Sequence, residues 1–190
     1  MQHRHFILHK PYGYLSQFIY NGKRKSTKKL LGSLYDFPEK TMAIGRLDED
    51  SEGLLFLTTN GKVSYTILSK KVEKEYYVQV DGIITQEVVT HLTQGVEIGL
   101  HGKKYTTKPC KASLLPNDLQ HPFIGFRKIR DARHGPTSWI SITLTEGKFR
   151  QVRKMTAAVG FPTLRLVRVR IGGEKLQLKL GEVKEVIAFR

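Results

Sequence analysis

The sequence predicts an α+β fold with a mostly antiparallel central sheet and flanking helices, and three observations lead there. Segments of strand length outnumber helical ones, they are rich in β-branched and aromatic residues, and they do not alternate regularly with helices as a doubly wound sheet requires. With 190 residues and 39% hydrophobic composition, the chain can bury one medium core or two smaller ones. We expect a single domain over 1–190, with approximate subdomains 1–60 plus 165–190 and 61–164.

Taken in order, "HFILH", "GYLSQF", "LLFLTT", "EYYVQV", "SWISITL", "RLVRVRI" and "KLQLKL" have the length and alternation of strands. "GKVSYTILSKK" has helical spacing. In "TQEVVTHLTQG", Thr85 is placed to cap a helix whose apolar stripe is Val88, Val89 and Leu92, and Gly95 to end it. "FRQVRKMTAAVGFP" ends in the same manner, at Gly160 and Pro162. At about 100° per residue, its Phe149, Val152, Met155 and Val159 fall on one side and Arg150, Arg153 and Lys154 on the other. The first face is expected to pack. The second is either a solvated basic face or, because its arginines stand near a helix start where cations are disfavoured, a site for a carboxylate or phosphate. "NGKRKSTKK", "LLPNDLQHP" and "DARHGPTS" have loop composition.

Charge narrows the function. Lys and Arg number 32 against 17 Asp and Glu, a formal charge of +15, so the expected partner is a polyanion and nucleic acid ranks first. No apolar run approaches the roughly 20 residues needed to span a bilayer, and "MQHRHFILHKPYG" lacks the apolar segment of a signal peptide, which suits a cytoplasmic chain without a membrane partner. Cys110 is the sole cysteine, so there is neither an internal disulfide nor a thiolate cluster. His3, His5 and His9 alternate like strand positions, with no acidic or cysteine partner at metal spacing. We expect no metal and no organic cofactor.

Within this basic chain, "IGRLDEDSEGLLFLTTNG" sets acidic residues just ahead of an apolar run. Asp48 is either an Asx-type turn residue, with Glu49, Asp50 and Glu52 simply solvated, or a carboxylate held for chemistry. Taken together, "GRLD", "SEGLL-x-LT", "KEYYVQV" and "EGKFRQVRKM...VGFPTLRL" resemble the pseudouridine synthases, in the RsuA-type branch that modifies ribosomal RNA. The likeness runs from "HKPYGYLSQF" to "LRLVRVRIG". "KPYGYLSQF" and "PTSWISITLTEGKFRQVRKM" are most similar to the large-subunit group of that branch.

The resemblance implies a pseudouridine synthase fold whose two subdomains flank a catalytic cleft, and an isomerase acting on ribosomal RNA of the large subunit, of bacterial type and monomeric. It implies that Asp48, the aspartate of "GRLD", is catalytic, that Tyr76 of "KEYYVQV" is the active-site tyrosine, and that Arg153 of "RQVRKM" pairs with the aspartate. Arg46 corresponds to the arginine that fills the space left by the extruded base. Many relatives begin with an S4 domain, for which we expect no room before "HFILHKP". On its own pattern Tyr76 shares a strand face with Val78 and Val80, so a core tyrosine is the plainer alternative to a pocket-lining one.

Phosphate contacts are expected from clusters: Lys23, Arg24 and Lys25, with Lys28 and Lys29; Arg127, Lys128 and Arg130, with Arg133; Arg150 and Lys154 on the helix; and Arg165, with Arg168 and Arg170, along a strand. Each run alone would pass for a solvated face. Trp139 is either a stacking residue or a partly buried edge aromatic. Two readings compete with the enzyme: a noncatalytic RNA-binding or ribosome-assembly protein, and a small-molecule glycoside or nucleoside hydrolase, which leaves the +15 charge unexplained.

Overall fold

Apolar runs bounded by turn residues become strands, and the fold follows from which of them are covered on both faces. In the computed structural model, which describes residues 2–20, 27–70, 72–116, 127, 129 and 132–190, the chain forms β1 (His5–Lys10), β2 (Tyr14–Leu15), β3 (Lys29–Leu30), β4 (Met42–Ile44), β5 (Glu52–Thr58), α1 (Gly61–Ser69), β6 (Lys74–Asp81), α2 (Gln86–Gln94), β7 (Glu97–Leu100), β8 (Lys103–Thr106), β9 (Lys111–Leu115), β10 (Thr137–Leu144), α3 (Gln151–Ala158), β11 (Thr163–Ile171), β12 (Glu174–Lys175) and β13 (Val183–Val186). Single 3-10 turns occupy Leu31–Ser33 and Ala132–His134. The fold is α+β on a large sheet of antiparallel pairs, as expected.

Two compact units divide the chain. One takes in residues up to Val72 and again from Arg168 to Arg190; the other lies between Glu73 and Val167. In the first, the strand order is β13-β1-β5 followed by the end of β11, with β4 beside β5. Every residue of β5 is buried, which is why "EGLLFLT" carries an unbroken apolar stretch rather than an alternating one. Phe6, Leu8, Leu31, Leu55 and Leu57 form a core here, lined by Phe18, Leu34 and Phe37. In the second unit the start of β11 leads to β6, β10 and β9, and Val78, Val80, Val89, Leu92, Ile140, Ile142 and Met155 are fully or almost fully buried together.

Capping chemistry sets the helices. Asn60 Oδ1 accepts from the amides of Lys62 and Val63 at 3.0 and 3.3 Å and starts α1. Thr85 Oγ1 accepts from the Val88 amide, and Gly95 at φ 93° ends α2, both as the sequence predicts. The third helix departs from expectation. It begins only at Gln151, because Arg150 adopts φ 51° in the left-handed region, and the turn it makes leaves Phe149 exposed instead of packed. "KLQLKL" joins a ladder only at its first residue, Lys175, which pairs through β12 with Arg170 of β11. Leu176 and Leu178 are buried and alternate as predicted, but their backbone is satisfied piecemeal, by Leu176 N donating to Val169 O at 2.7 Å and by His9 Nδ1 meeting Leu178 O at 3.0 Å. "GYLSQF" contributes only the two residues of β2. The loops "NGKRKSTKK" and "LLPNDLQHP" lie largely outside the described residues.

Gly53, at φ 113°, is where backbone approaches backbone: a Cβ there would overlap the carbonyl and amide of Arg168 on β11. Gly53→Ala should therefore lower stability by about 2–4 kcal/mol, combining overlap with a disfavoured φ. Gly61, whose Cβ would meet nothing within 4 Å, serves as the control, and Gly61→Ala should cost nothing. Urea midpoints of the two variants at unchanged slope make the comparison.

Candidate active site

Asp48 sits half-buried in the turn that joins β4 to β5, on the first unit. Gly45 at φ 72° takes the chain out of β4, and the Ser51 amide donates to Asp48 O at 3.0 Å to close the turn. That much suits an ordinary turn residue. What surrounds it goes further. Ser16 Oγ donates to Leu47 O at 2.7 Å and accepts from Leu47 N at 3.0 Å, so one hydroxyl clamps both backbone groups of the residue before the aspartate. The Gly13 amide donates to Glu49 O at 2.8 Å on the residue after it. From β11, Arg168 donates through Nε to Leu54 O at 2.8 Å and through Nη1 to Arg46 O at 3.4 Å. The backbone carrying the carboxylate is thus tied on both sides to "KPYGYLS" and to β11.

Beneath the turn lies a set of buried charges that sequence reasoning did not single out. Lys10 is fully buried, with Glu52 and Arg168 at 1% and 3% exposure. Its ammonium donates to Pro11 O at 2.9 Å and to Tyr14 O at 2.6 Å, which bends the following loop toward the Asp48 turn. Burial pushes the Lys10 ammonium down to about 8; Glu52, Asp50 and Asp48 act against that shift, and Arg168 acts with it. Glu52 is accordingly not the solvated residue that the turn pattern suggested. The available signal was the "HKP" triplet itself, a lysine ending an otherwise apolar strand.

The other two expected catalytic residues belong to the second unit. Tyr76, on β6 opposite Ile142 of β10, is half-buried and packs against the core that contains Val78 and Val80. The neighbouring Tyr77 phenol is raised by burial and then by Glu75. Arg153 is half-buried on α3, and its Nη1 reaches Thr163 O at 3.5 Å. Ahead of α3, Glu146 gathers three donors: Gln151 Nε2 at 2.6 Å, Tyr105 Oη at 2.7 Å and the Lys108 amide at 2.8 Å. Burial works to raise the Glu146 carboxyl, but these hydrogen bonds outweigh it and hold it below the ordinary carboxylate value. Gln151 also accepts from the Lys148 amide at 2.9 Å, so the "EGKFRQ" loop is fixed by its own side chains.

The expected phosphate contacts divide. Arg46 is exposed, Arg127 and Arg150 are half-buried, and Lys154 spends its ammonium on Gly99 O at 2.7 Å. Arg165 is a correction: at 4% exposure it lies inside β11 and does not offer a surface cation, and Arg168 likewise serves the interior. Alternation along "RLVRVRI" suggested an exposed basic row, but this strand is covered on both faces. Lys23, Arg24, Lys25, Lys128 and Arg130 lie outside the described residues. Lys28 pairs with Glu49 at 2.7 Å. Trp139 is half-buried on β10, an interior strand between β6 and β9 rather than an edge. Cys110 is half-buried, its thiol pushed up to about 11 first by burial, a poor nucleophile.

Removing the buried ammonium tests the scaffold under Asp48. Lys10→Met should cost about 2–4 kcal/mol, because two carbonyls lose their donor and Glu52 loses a cation. The pH dependence has a definite sign. Between about 8 and the unperturbed 10.5 the unfolded chain still carries the Lys10 proton while the folded chain has lost it, so stability rises with pH in that window. Denaturation at pH 7.5 and at pH 10 should show the wild-type chain gaining on Lys10→Met at the higher pH.

Residues 4–158 match the family model described as RNA pseudouridylate synthase. The ribosomal large subunit pseudouridine synthase E of Vibrio vulnificus is 42% identical over 95% of this chain and 74% of its own length. The protein of the same name from Xanthomonas axonopodis pv. citri is 40% identical over 90% of this chain and 86% of its own. A solved structure described as a pseudouridylate synthase superposes with a TM-score of 0.75 at 27% identity, over 97% of this chain and 70% of that one. A match of this extent places the chain in the RNA pseudouridylate synthase family, isomerases that act on RNA.

Proposed function

We propose that this chain converts a specific uridine of large-subunit ribosomal RNA into pseudouridine, with Asp48 as the catalytic residue acting on a base turned out of the RNA. The observation that carries the reading is the Asp48 turn, whose flanking backbone is held by Ser16, Gly13 and Arg168 at the position of the family's "GRLD" aspartate. The names of the relatives support the ribosomal substrate. The formal charge of +15 supports a polyanionic one.

The chemistry asks for these residue types. The bond from the base nitrogen to the sugar breaks, the base turns, and a carbon of the same base rejoins the sugar, so no atom and no electron is gained or lost. No metal or organic cofactor is required for that balance. An ionised carboxylate either attacks the anomeric carbon or takes a sugar proton on a glycal route, and both need its backbone held still. Arg153 is proposed to pair with the carboxylate, Tyr76 to stack on the extruded uracil, and Arg46 to fill the gap left in the RNA. The chain is proposed to work as a monomer in the cytoplasm.

Asp48→Asn is nearly isosteric and cannot act as nucleophile or base. It should abolish pseudouridine formation, by at least about a thousandfold in single-turnover rate, with the melting temperature and RNA affinity unchanged. Mapping pseudouridines in ribosomal RNA with and without the gene identifies the site; near-wild-type activity in the variant would overturn the role of Asp48. Arg153→Ala should lower the rate at saturating RNA and Arg153→Lys should restore part of it, whereas a mere phosphate contact would change affinity alone.

A further inference from the structure

We propose that Phe149 and His101 form a stacking step for an unpaired base of the RNA that flanks the reacting uridine. This rests on the reading that the chain acts on RNA. It concerns a surface of the second unit made by the β7–β8 turn and the loop before α3, outside the proposed catalytic residues.

The first observation is misplacement. Helical spacing assigns Phe149 to the packed face with Val152 and Met155, yet the ring is 59% exposed. Arg150 at φ 51° is what turns it outward, and His101 at φ 49° makes the facing hairpin turn. Left-handed backbone is disfavoured for a residue with a Cβ. Two of the three such residues among those described meet at this one spot, the other being Lys40.

The second observation is the company the ring keeps. The His101 and Phe149 rings lie 6.3 Å apart between centroids at 30°, a stacked arrangement. Lys154 Nζ stands 5.2 Å from the Phe149 centroid while donating to Gly99 O, so a single lysine joins α3 to β7 and borders the ring. Lys148 Nζ stands 5.0 Å from the Tyr105 centroid, and Lys103, Lys104 and Lys108 are exposed on the same segment. The nearby acids are engaged, Glu97 with Lys104 at 2.9 Å and Glu146 with Tyr105, Gln151 and the Lys108 amide. An isolated exposed phenylalanine is unremarked in any protein. An exposed aromatic pair bordered by Lys154, on a segment that carries further exposed lysines, matches a nucleotide, which brings a flat base and a phosphate together. Protein interfaces call for a broader apolar patch and are depleted of lysine at the centre.

The test uses the full chain and a single-stranded oligoribonucleotide carrying 2-aminopurine, whose fluorescence is quenched on stacking. Phe149→Ala should weaken binding about tenfold and relieve the quenching. The slope of affinity against salt should not change, since stacking releases no counterion, whereas Lys103→Ala with Lys148→Ala should reduce it. Phe149→Trp should bind at least as well as wild type. Phe149→Leu should stay weak. Because the ring is exposed, these variants should melt like wild type. Unchanged affinity in Phe149→Ala, or full recovery by leucine, would overturn the proposal and leave this face to a protein partner. The readout is binding, so it is independent of the turnover test on Asp48. A wild-type chain with no affinity for the probe would overturn the RNA reading as well.

Discussion

The burial of Lys10, Glu52 and Arg168 beneath the Asp48 turn is the constraint on which the first unit depends. Charges taken out of water are tolerated only where every one is met by an opposite charge or a fixed dipole. The two cations therefore dictate the backbone around them: Lys10 collects the carbonyls of Pro11 and Tyr14, and Arg168 those of Leu54 and Arg46. Gly53 is the price of that arrangement, since only a residue without a Cβ lets β5 lie so close to Arg168. An apolar filling of equal volume would stabilise as well or better, as buried ion pairs rarely add net stability. What hydrocarbon lacks is direction. Directional donors locate the turn, and with it the carboxylate.

Much of this was legible in the sequence, for identifiable reasons. Apolar runs with β-branched residues gave β1, β5, β6, β10 and β11 because tertiary burial and local preference agree there. Thr85 and Gly95 marked the ends of α2 because capping is a local interaction. The failures occur where a distant partner decides. "KLQLKL" alternates correctly in burial but pairs with β11 only at Lys175, and beyond it the bonds go singly to Val169 and His9. Arg165 and Arg168 looked like surface cations because a period of two implies one wet face, and β11 has none. Phe149 obeyed helical spacing in a residue that is not yet helical. The hairpin of β7 and β8 was missed because "VEIGLHGKKYTT" exposes most of its residues and carries little apolar signal.

The candidate site shows the same division. Asp48 was found through its motif, yet the clamp on it from Ser16, Gly13 and Arg168 spans up to 122 residues of sequence and has no local trace. Glu146 is a comparable case on the second unit. In "TEGK" it looks like one more acid before a basic helix, but it receives Tyr105 from β8, the amide of Lys108 and the side chain of Gln151. Its carboxylate thereby fixes the loop that presents Lys148, Phe149 and Arg150. A carboxylate held below its usual range in this way keeps its charge further into acid than a free glutamate does, and the loop keeps its anchor with it.

Charge and stacking answer different needs in such a protein. A chain at +15 attracts any polyanion, and attraction of that kind tracks phosphates without regard to register. On the proposed function one uridine is placed over the Asp48 carboxylate, and for that some contact must resist sliding. A ring held by its neighbours does so, since a base that stacks on it has to leave the stack before the strand can advance. Lys154 contributes to this through the protein itself: by bonding Gly99 O it fixes the β7 end of the hairpin to α3, which keeps His101 beside Phe149. In the proposed division, electrostatic capture supplies affinity without register and the aromatic step supplies a position. The two strained turns at His101 and Arg150 are the local cost of holding that position, in the same sense that Gly53 is the local cost of holding Asp48.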